Sequence, residues 1–230
     1  MQYAILFLPL LGAIFGYSAK YFGDLFSQLI TTLFVCLSAI LSIIVFYNGI
    51  FHENYGNYLV FQWISSGNFI ANWSINIDPL SSIMLVIVSL ISALVHIYSI
   101  GYMDHDPNKP RFMSYLSLFT FAMMVLVVSD NFLQLFFGWE GVGLSSYLLI
   151  GFWYKKDSAN KAAIKAFIVN RAGDFGFVIA LFLIFLFFGT LNYNEVFQLV
   201  PIFAEKEINF LGFDANLITL ICLFLFLGAM

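Results

Sequence analysis

The sequence predicts an all-α, polytopic transmembrane helix bundle with a short β-hairpin on its outer face. Three observations carry this. Of the 230 residues, 62% are hydrophobic and only 10% are charged, against roughly 25% charged in a soluble domain. The apolar residues gather in runs long enough to cross a bilayer core, which takes about 20 residues of helix. One segment departs from these runs with a strict two-residue alternation. Long unbroken runs also exclude a membrane β-barrel, whose strands alternate throughout.

Six spans are expected, at about residues 2–22, 26–47, 79–101, 112–129, 132–154 and 164–189, and a seventh apolar run begins near Asn216 and continues to Met230. No Lys or Arg precedes the first run, so it is expected to be a spanning helix and not a secretory leader. The third span opens on Asp78, a helix-capping residue, followed by Pro79 in the first turn. Ser129-Asp130-Asn131 reads as a tight turn between spans four and five. Span five ends in the cluster Phe152-Trp153-Tyr154, an interfacial aromatic group, before Lys155-Lys156-Asp157.

Between spans two and three, Phe69, Ala71, Trp73, Ile75 and Ile77 alternate with Asn72, Ser74, Asn76 and Asp78. That is the period of a half-buried strand. Leu59, Phe61 and Trp63 start a similar run, and Ser65-Ser66-Gly67-Asn68 supplies a turn. The competing reading is an irregular aromatic-rich loop. Loops one, three and five, with the start of span six, hold Lys20, Lys109, Arg111, Lys155, Lys156, Lys161 and Lys165, whereas loops two, four and six hold only Lys206. The positive-inside rule then places the N-terminus and the hairpin outside. No fixed-period repeat or low-complexity linker divides the chain, so residues 1–230 read as one transmembrane domain.

Several chemistries are excluded. Nine Lys and Arg residues and a formal net charge of −4 form no basic groove, so no nucleic acid partner is expected. Cys36 and Cys222 lie in apolar runs without ligand spacing, which disfavours a disulfide, an iron–sulfur cluster or structural zinc. His105 and Asp106 have metal-binding side chains, but nothing else supports a metal site. There is no phosphate-binding glycine loop, no helical histidine pair and no nucleophile elbow.

What remains informative is the set of ionisable groups within the apolar spans, each costing at least ~2.5–3.5 kcal/mol on insertion scales. Glu140 leads. It sits near the middle of span five, in Phe136-Phe137-Gly138-Trp139-Glu140-Gly141-Val142-Gly143. No cation lies within one turn of it along the helix, and burial disfavours its charged form, bringing it towards reversible protonation. The glycines admit a neighbouring helix or water. The alternative is a protonated glutamic acid that only bonds two helices together. Asp174 follows, with Arg171 three residues earlier on the same helix face; the alternative is a local ion pair. Arg171 is expected to pair with a carboxylate. Lys165 lies in an apolar stretch one turn after Lys161, and such lysines often snorkel to the interface. His96, in Leu94-Val95-His96-Ile97-Tyr98, is either a packing residue or a proton relay. His52 and His105 read as loop residues.

The segment Leu133-Gln134-Leu135-Phe136-Phe137-Gly138-Trp139-Glu140-Gly141-Val142-Gly143-Leu144-Ser145-Ser146-Tyr147-Leu148-Leu149-Ile150-Gly151-Phe152-Trp153-Tyr154 closely resembles the antiporter-like membrane subunits of proton-pumping NADH–quinone oxidoreductase, respiratory complex I, in the subunit L or chain 5 branch. Lys165 to Asp174, Ile77 to Ser81 and His96 to Met103 resemble the same family, and the resemblance extends over nearly the whole chain. It implies a membrane-arm role in proton translocation coupled to quinone reduction, in a translocase whose other subunits are partners and whose bilayer is a bacterial inner (cell) membrane. It implies no redox site and no cofactor in this chain; flavin, iron–sulfur clusters and quinone belong to other subunits. It also implies that Glu140 is part of a proton channel, that Asp174 is a further charged position, and that the hairpin lies on the outer face. Family members are far longer and carry a lysine partner for the central glutamate on a broken seventh span. This chain is therefore expected to be an N-terminal part of a longer subunit. The competing assignments are a subunit of a multi-subunit cation/proton antiporter and a structural membrane scaffold; a membrane enzyme comes last.

Overall fold

The computed structural model describes residues 1–67, 69–210 and 212–230. It is mostly helical. Helices α1 (Gln2–Ser18), α2 (Asp24–His52), α3 (Pro79–Tyr102), α4 (Lys109–Val127), α5 (Phe132–Ile150) and α6 (Asp157–Phe188) are followed by the short α7 (Tyr193–Phe203) and by α8 (Leu217–Ala229). Strands β1 (Gly56–Ser66) and β2 (Phe69–Ile77) form one antiparallel hairpin, and β3 (Glu207–Phe210) and β4 (Phe213–Asn216) a second. The elements α2, α3, α4 and α6 are long and apolar enough to cross a membrane. Helix α1 is 17 residues and α8 is 13, and α5, at 19 residues, is interrupted by Gln134, Glu140 and its glycines and serines.

Local chemistry sets the ends. Asp78 accepts the Ser81 amide at 2.6 Å while Ser81 Oγ accepts the Asp78 amide at 2.8 Å, a reciprocal capping box with Pro79 in the first turn. Asn131 caps α5 by accepting the Gln134 amide at 2.8 Å. Gly189 ends α6 with φ of 73°, the left-handed conformation that a glycine adopts without strain.

Helices α1 to α4 pack into one bundle, α5 lies on α4, α6 on α5, and α8 on α6. The first hairpin covers one end of this array. Trp73, Ile75 and Ile77 of β2 pack with Ile5 and Leu6 of α1, Val45 of α2, Leu85 of α3 and Met124, Val125 and Val128 at the end of α4. Buried side chains alternate along β2 as the sequence predicts, with one addition: Ser74 is also buried, because Gln134 takes both its amide (3.0 Å) and its carbonyl (2.7 Å). Strand β1 departs from the expectation. Leu59 and Phe61 are exposed and Tyr58 and Val60 turn towards the core instead, whereas Trp63 turns towards the core as the sequence predicts. Tyr58 and Leu59 precede both register shifts, which fall after Leu59 and after Gln62; at the second, Trp63 joins the inward side, as a bulge transfers the following side chains to the other face. Asn68 of the expected turn lies outside the described residues, as does the side chain of Lys20.

The basic residues Lys109, Arg111, Lys155, Lys156 and Lys161 sit at the opposite end from the hairpin, where α3 passes to α4 and α5 to α6. There Arg111 donates to the Phe152 carbonyl at 2.9 Å and stacks 4.7 Å from the Phe152 ring centroid. The polar stretch 190–214, which carries no periodic signal in the sequence, forms α7 and most of the second hairpin. Helix α7 sits at the hairpin end, its Tyr193 amide bonded to the Asp130 carbonyl. The Tyr193 phenol, 3.0 Å from Ser129 Oγ, is pushed up to about 12 by burial, with the nearby Asp130 charge adding to it.

Candidate functional site

Helices α5 and α6 each carry an acidic residue near mid-length, and their packing brings the two together. Glu140 is the ninth residue of α5 and Asp174 the eighteenth of α6. Between them lies Arg171. Its guanidinium bonds Glu140 across the helix interface, and its Nη1 is 3.5 Å from Asp174 Oδ2 along its own helix. Trp139 Nε1 donates to Asp174 Oδ1 at 3.0 Å. One guanidinium thus serves two carboxylates.

The expectation that Glu140 has no cation within a turn holds along α5, but α6 supplies one from 31 residues away in sequence. Spacing along a single helix does not reveal a partner on the next one. Arg171 pairs with carboxylates as the sequence predicts, and with two of them.

The three groups differ in exposure. The side chain of Asp174 is 7% exposed, that of Glu140 25% and that of Arg171 50%. They line a cavity of about 220 Å³ with Trp139, Val142, Gly143, Phe167 and Asn170. Arg171 stacks over Phe167 at 4.9 Å. With both carboxylates ionised the cluster carries one net negative charge, so a single proton neutralises it. Close helix packing builds this geometry. A Cβ on Gly138 would lie 2.6 Å from the Leu126 backbone nitrogen, and one on Gly141 would lie 3.0 Å from Ala122 Cβ. Gly173 and Gly176 likewise admit the backbone of α8 beside Asp174.

The other sequence candidates lie elsewhere. Lys165 is exposed on α6 and makes no ion pair among the described residues. His96 is fully buried on α3. Its Nδ1 is 2.8 Å from the Ser92 carbonyl and its Nε2 3.1 Å from Ser117 Oγ of α4. Helix α4 separates it from the cluster, meeting α3 through Ser117 and Thr120 and α5 through Ala122 and Leu126. Asp106 accepts from Trp153 Nε1 and the Asn108 amide, and among the described residues no group of three metal-binding side chains is found. Trp139, Phe167 and Asn170 have no role assigned by the sequence. Their one signal there is adjacency to Glu140 and Arg171.

Comparison with known proteins adds the following. A family model described as NADH-ubiquinone oxidoreductase (complex I), chain 5 N-terminus, matches residues 63–113, and one described as NADH:quinone oxidoreductase/Mrp antiporter, TM, matches 129–230. The first match contains His96 and the second contains Glu140, Lys165, Arg171 and Asp174. NADH-ubiquinone oxidoreductase chain 5 of Chondrus crispus is 49% identical over 100% of this chain and 34% of its own length. NADH-quinone oxidoreductase subunit L of Rickettsia felis is 49% identical over 98% of this chain and 35% of its own. The chain thus spans about a third of the curated relatives it matches. A chain in the structure of the membrane-bound sulfane sulfur reductase, an archaeal respiratory membrane complex, superposes with a TM-score of 0.79 at 16% identity, over 99% of this chain and 44% of that one. At that identity the likeness shows the fold.

Proposed function

The chain belongs to the family of antiporter-like membrane subunits that includes complex I chain 5, or subunit L, and on that premise we propose that it forms part of a membrane-arm subunit of NADH–quinone oxidoreductase that moves protons across the membrane as quinone is reduced. The observation that carries the reading is the Glu140–Arg171–Asp174 cluster within two apolar helices. A lone charge there is costly, and opposite charges at 4 Å attract by about 4 kcal/mol at an effective dielectric near 20. Two carboxylates sharing one guanidinium form a cluster whose charge balance follows Arg171. When Arg171 sits on Glu140, Asp174 is the less compensated carboxylate. When Arg171 moves to Asp174, Glu140 takes that role. A charge shift in a neighbouring subunit that draws Arg171 one way or the other would load or unload a proton.

In this reading α1 and α5 also cross the membrane, giving six spans, and α8 begins a seventh within one transmembrane domain. The hairpin, α7 and the N-terminus face outside a bacterial-type inner membrane, and the basic residues face the cytoplasm. Lipid surrounds the exposed apolar faces, and further membrane-arm subunits adjoin it. The redox groups reside on other subunits. Lys165, on the same helix as Arg171 and Asp174, is assigned to the approach to the cluster, and His96 to a proton-exchanging role beyond α4. A second reading, a subunit of a cation/proton antiporter, is favoured by one observation, the shared family model over residues 129–230.

The test replaces Arg171 in the full-length subunit within its assembled complex. Arg171→Ala should reduce pumping per turnover, and Arg171→Lys should restore part of it. Pumping unchanged in Arg171→Ala, with the complex assembled, would remove the cluster from the pathway.

A further inference from the structure

On the far side of α4 from the cluster, a seam of small hydroxyl residues runs between α1, α2, α3 and α4. Thr120, Ser117 and Ser114 lie on one face of α4 at three-residue intervals, and all three are buried. Thr120 Oγ1 is 2.5 Å from Ser92 Oγ of α3, and Ser117 Oγ is 3.1 Å from His96 Nε2. Glycines on α1 make the room: a Cβ on Gly12 would meet Ser117 Oγ at 3.3 Å, and one on Gly16 would meet Ser114 Oγ at 3.2 Å. On the α2 side, Ser27 Oγ donates to the Gly16 carbonyl, and Thr31 packs against Gly16.

Ser114 and Gln28, at this level, lack a partner among the described residues. Ser114 is 4% exposed and Gln28, next to Ser27, is 3% exposed. Ser114 Oγ and Gln28 Nε2 make no hydrogen bond among the described residues. A buried polar atom left unpaired costs about 1–3 kcal/mol, and ordered water at a polar site with several partners removes that cost. The seam has a direction. Ser114 is the sixth residue of α4, whose first turn carries Lys109 and Arg111, and Thr120 lies about 9 Å deeper along the helix at 1.5 Å per residue.

The hydrogen-bond geometry at the deep end permits proton exchange. The Ser92 carbonyl can only accept, so Nδ1 of His96 carries a hydrogen. In the neutral ring Nε2 is then an acceptor, and the Ser117 hydroxyl donates to it. We infer that this seam is a water-bearing path, separate from the Glu140 cluster, that admits protons from the basic end of the bundle to His96 Nε2 through Ser114 and Ser117. A proton delivered to Nε2 yields an imidazolium whose two N–H groups keep both acceptors, the Ser92 carbonyl and the Ser117 hydroxyl oxygen. Return of that proton by the same route restores the neutral ring. The path rests on the membrane-subunit reading but not on the role of the cluster.

Cysteine accessibility tests it. Ser114→Cys, Ser117→Cys and, as a dry control, Val35→Cys at 0% exposure are placed one at a time in the full-length subunit, with Cys36 and Cys222 replaced by Ser. Sealed vesicles of each orientation, with free cysteine inside as scavenger, receive 2-aminoethyl methanethiosulfonate, and the mass shift of the subunit is followed in time. A dry site suppresses the thiolate, about tenfold for each unit of thiol pKa. Ser114→Cys should therefore react at least ~10-fold faster than Val35→Cys, and only from the basic end, with Ser117→Cys in between. If Ser114→Cys and Ser117→Cys react no faster than Val35→Cys, or equally from both sides, the path is wrong. If Ser114→Cys does not assemble, Gln28→Cys answers the same question. Labelling is read without pumping, so failure here is distinguishable from failure of the cluster.

Discussion

Gly138→Ala is a one-methyl test of how the cluster is built. At Gly138 an added Cβ would lie 2.6, 2.7 and 2.8 Å from the amide nitrogen, Cα and Cβ of Leu126. Two of these are backbone atoms and cannot rotate away. Comfortable carbon contacts are about 3.5–4.0 Å, so α5 must retreat from α4 by about 1 Å. Overpacking of this kind costs about 1–3 kcal/mol. The displacement has a functional consequence, because Glu140 is half a turn further along α5 and its partner Arg171 stands on α6. Gly143→Ala is the control. It is the same substitution in the same helix, yet its nearest atom would be Asn170 Nδ2 at 3.6 Å, an ordinary contact, and alanine gains up to ~1 kcal/mol over glycine in a helix. Thermal melting of the purified complex should fall in Gly138→Ala and hold in Gly143→Ala; pumping per turnover, which should fall in Gly138→Ala, is read for that variant alone because Gly143 lines the cluster's cavity. Equal melting of the two variants would refute the close α4–α5 approach.

Gln134→Leu keeps the volume but removes both bonds to Ser74; each orphaned backbone group costs about 1–3 kcal/mol, so amide exchange in β2 should accelerate while α6 is unaffected, and an unchanged rate would deny that Gln134 pins the hairpin. Tyr193, held at about 12 by burial, keeps its proton in the folded state at pH values where the unfolded phenol near 10 has lost it. Its contribution to stability is therefore whole below pH 10 and lost between 10 and 12; the phenolate absorbance difference between parent and Tyr193→Phe should be absent at pH 10 and centred near 12, and a difference centred at 10 would contradict the buried placement.

Much of this architecture is legible in the chain because its signals are local. Asp78-Pro79 marks the start of α3, and the alternation from Phe69 to Ile77 marks β2. The first half of strand β1 is read on the wrong face because Leu59 and Phe61 look as inward-facing as Tyr58 and Val60, and no residue type signals the change of face that brings Trp63 inward. Helix α7 is short and the second hairpin shorter, so neither gathers enough periodicity to stand out from a polar stretch. In the site, Glu140, Arg171 and Asp174 each announce themselves as charges in apolar surroundings. That Arg171 reaches Glu140 depends on which helices pack side by side, which no single-helix pattern contains. The same limit applies to His96. Its burial is readable, but the interposition of α4 between it and the cluster is not.

The central claim is that Glu140 is a titrating member of a proton pathway and not a packing residue. Proton pumping and quinone reduction measured together in membrane vesicles, with Glu140→Gln and Glu140→Asp in the full-length subunit and assembly checked for both, test it most directly. The account predicts that Glu140→Gln assembles but loses most pumping, while Glu140→Asp, which keeps a carboxylate for Arg171, retains a substantial part. Pumping and turnover at the parent level in Glu140→Gln would contradict it.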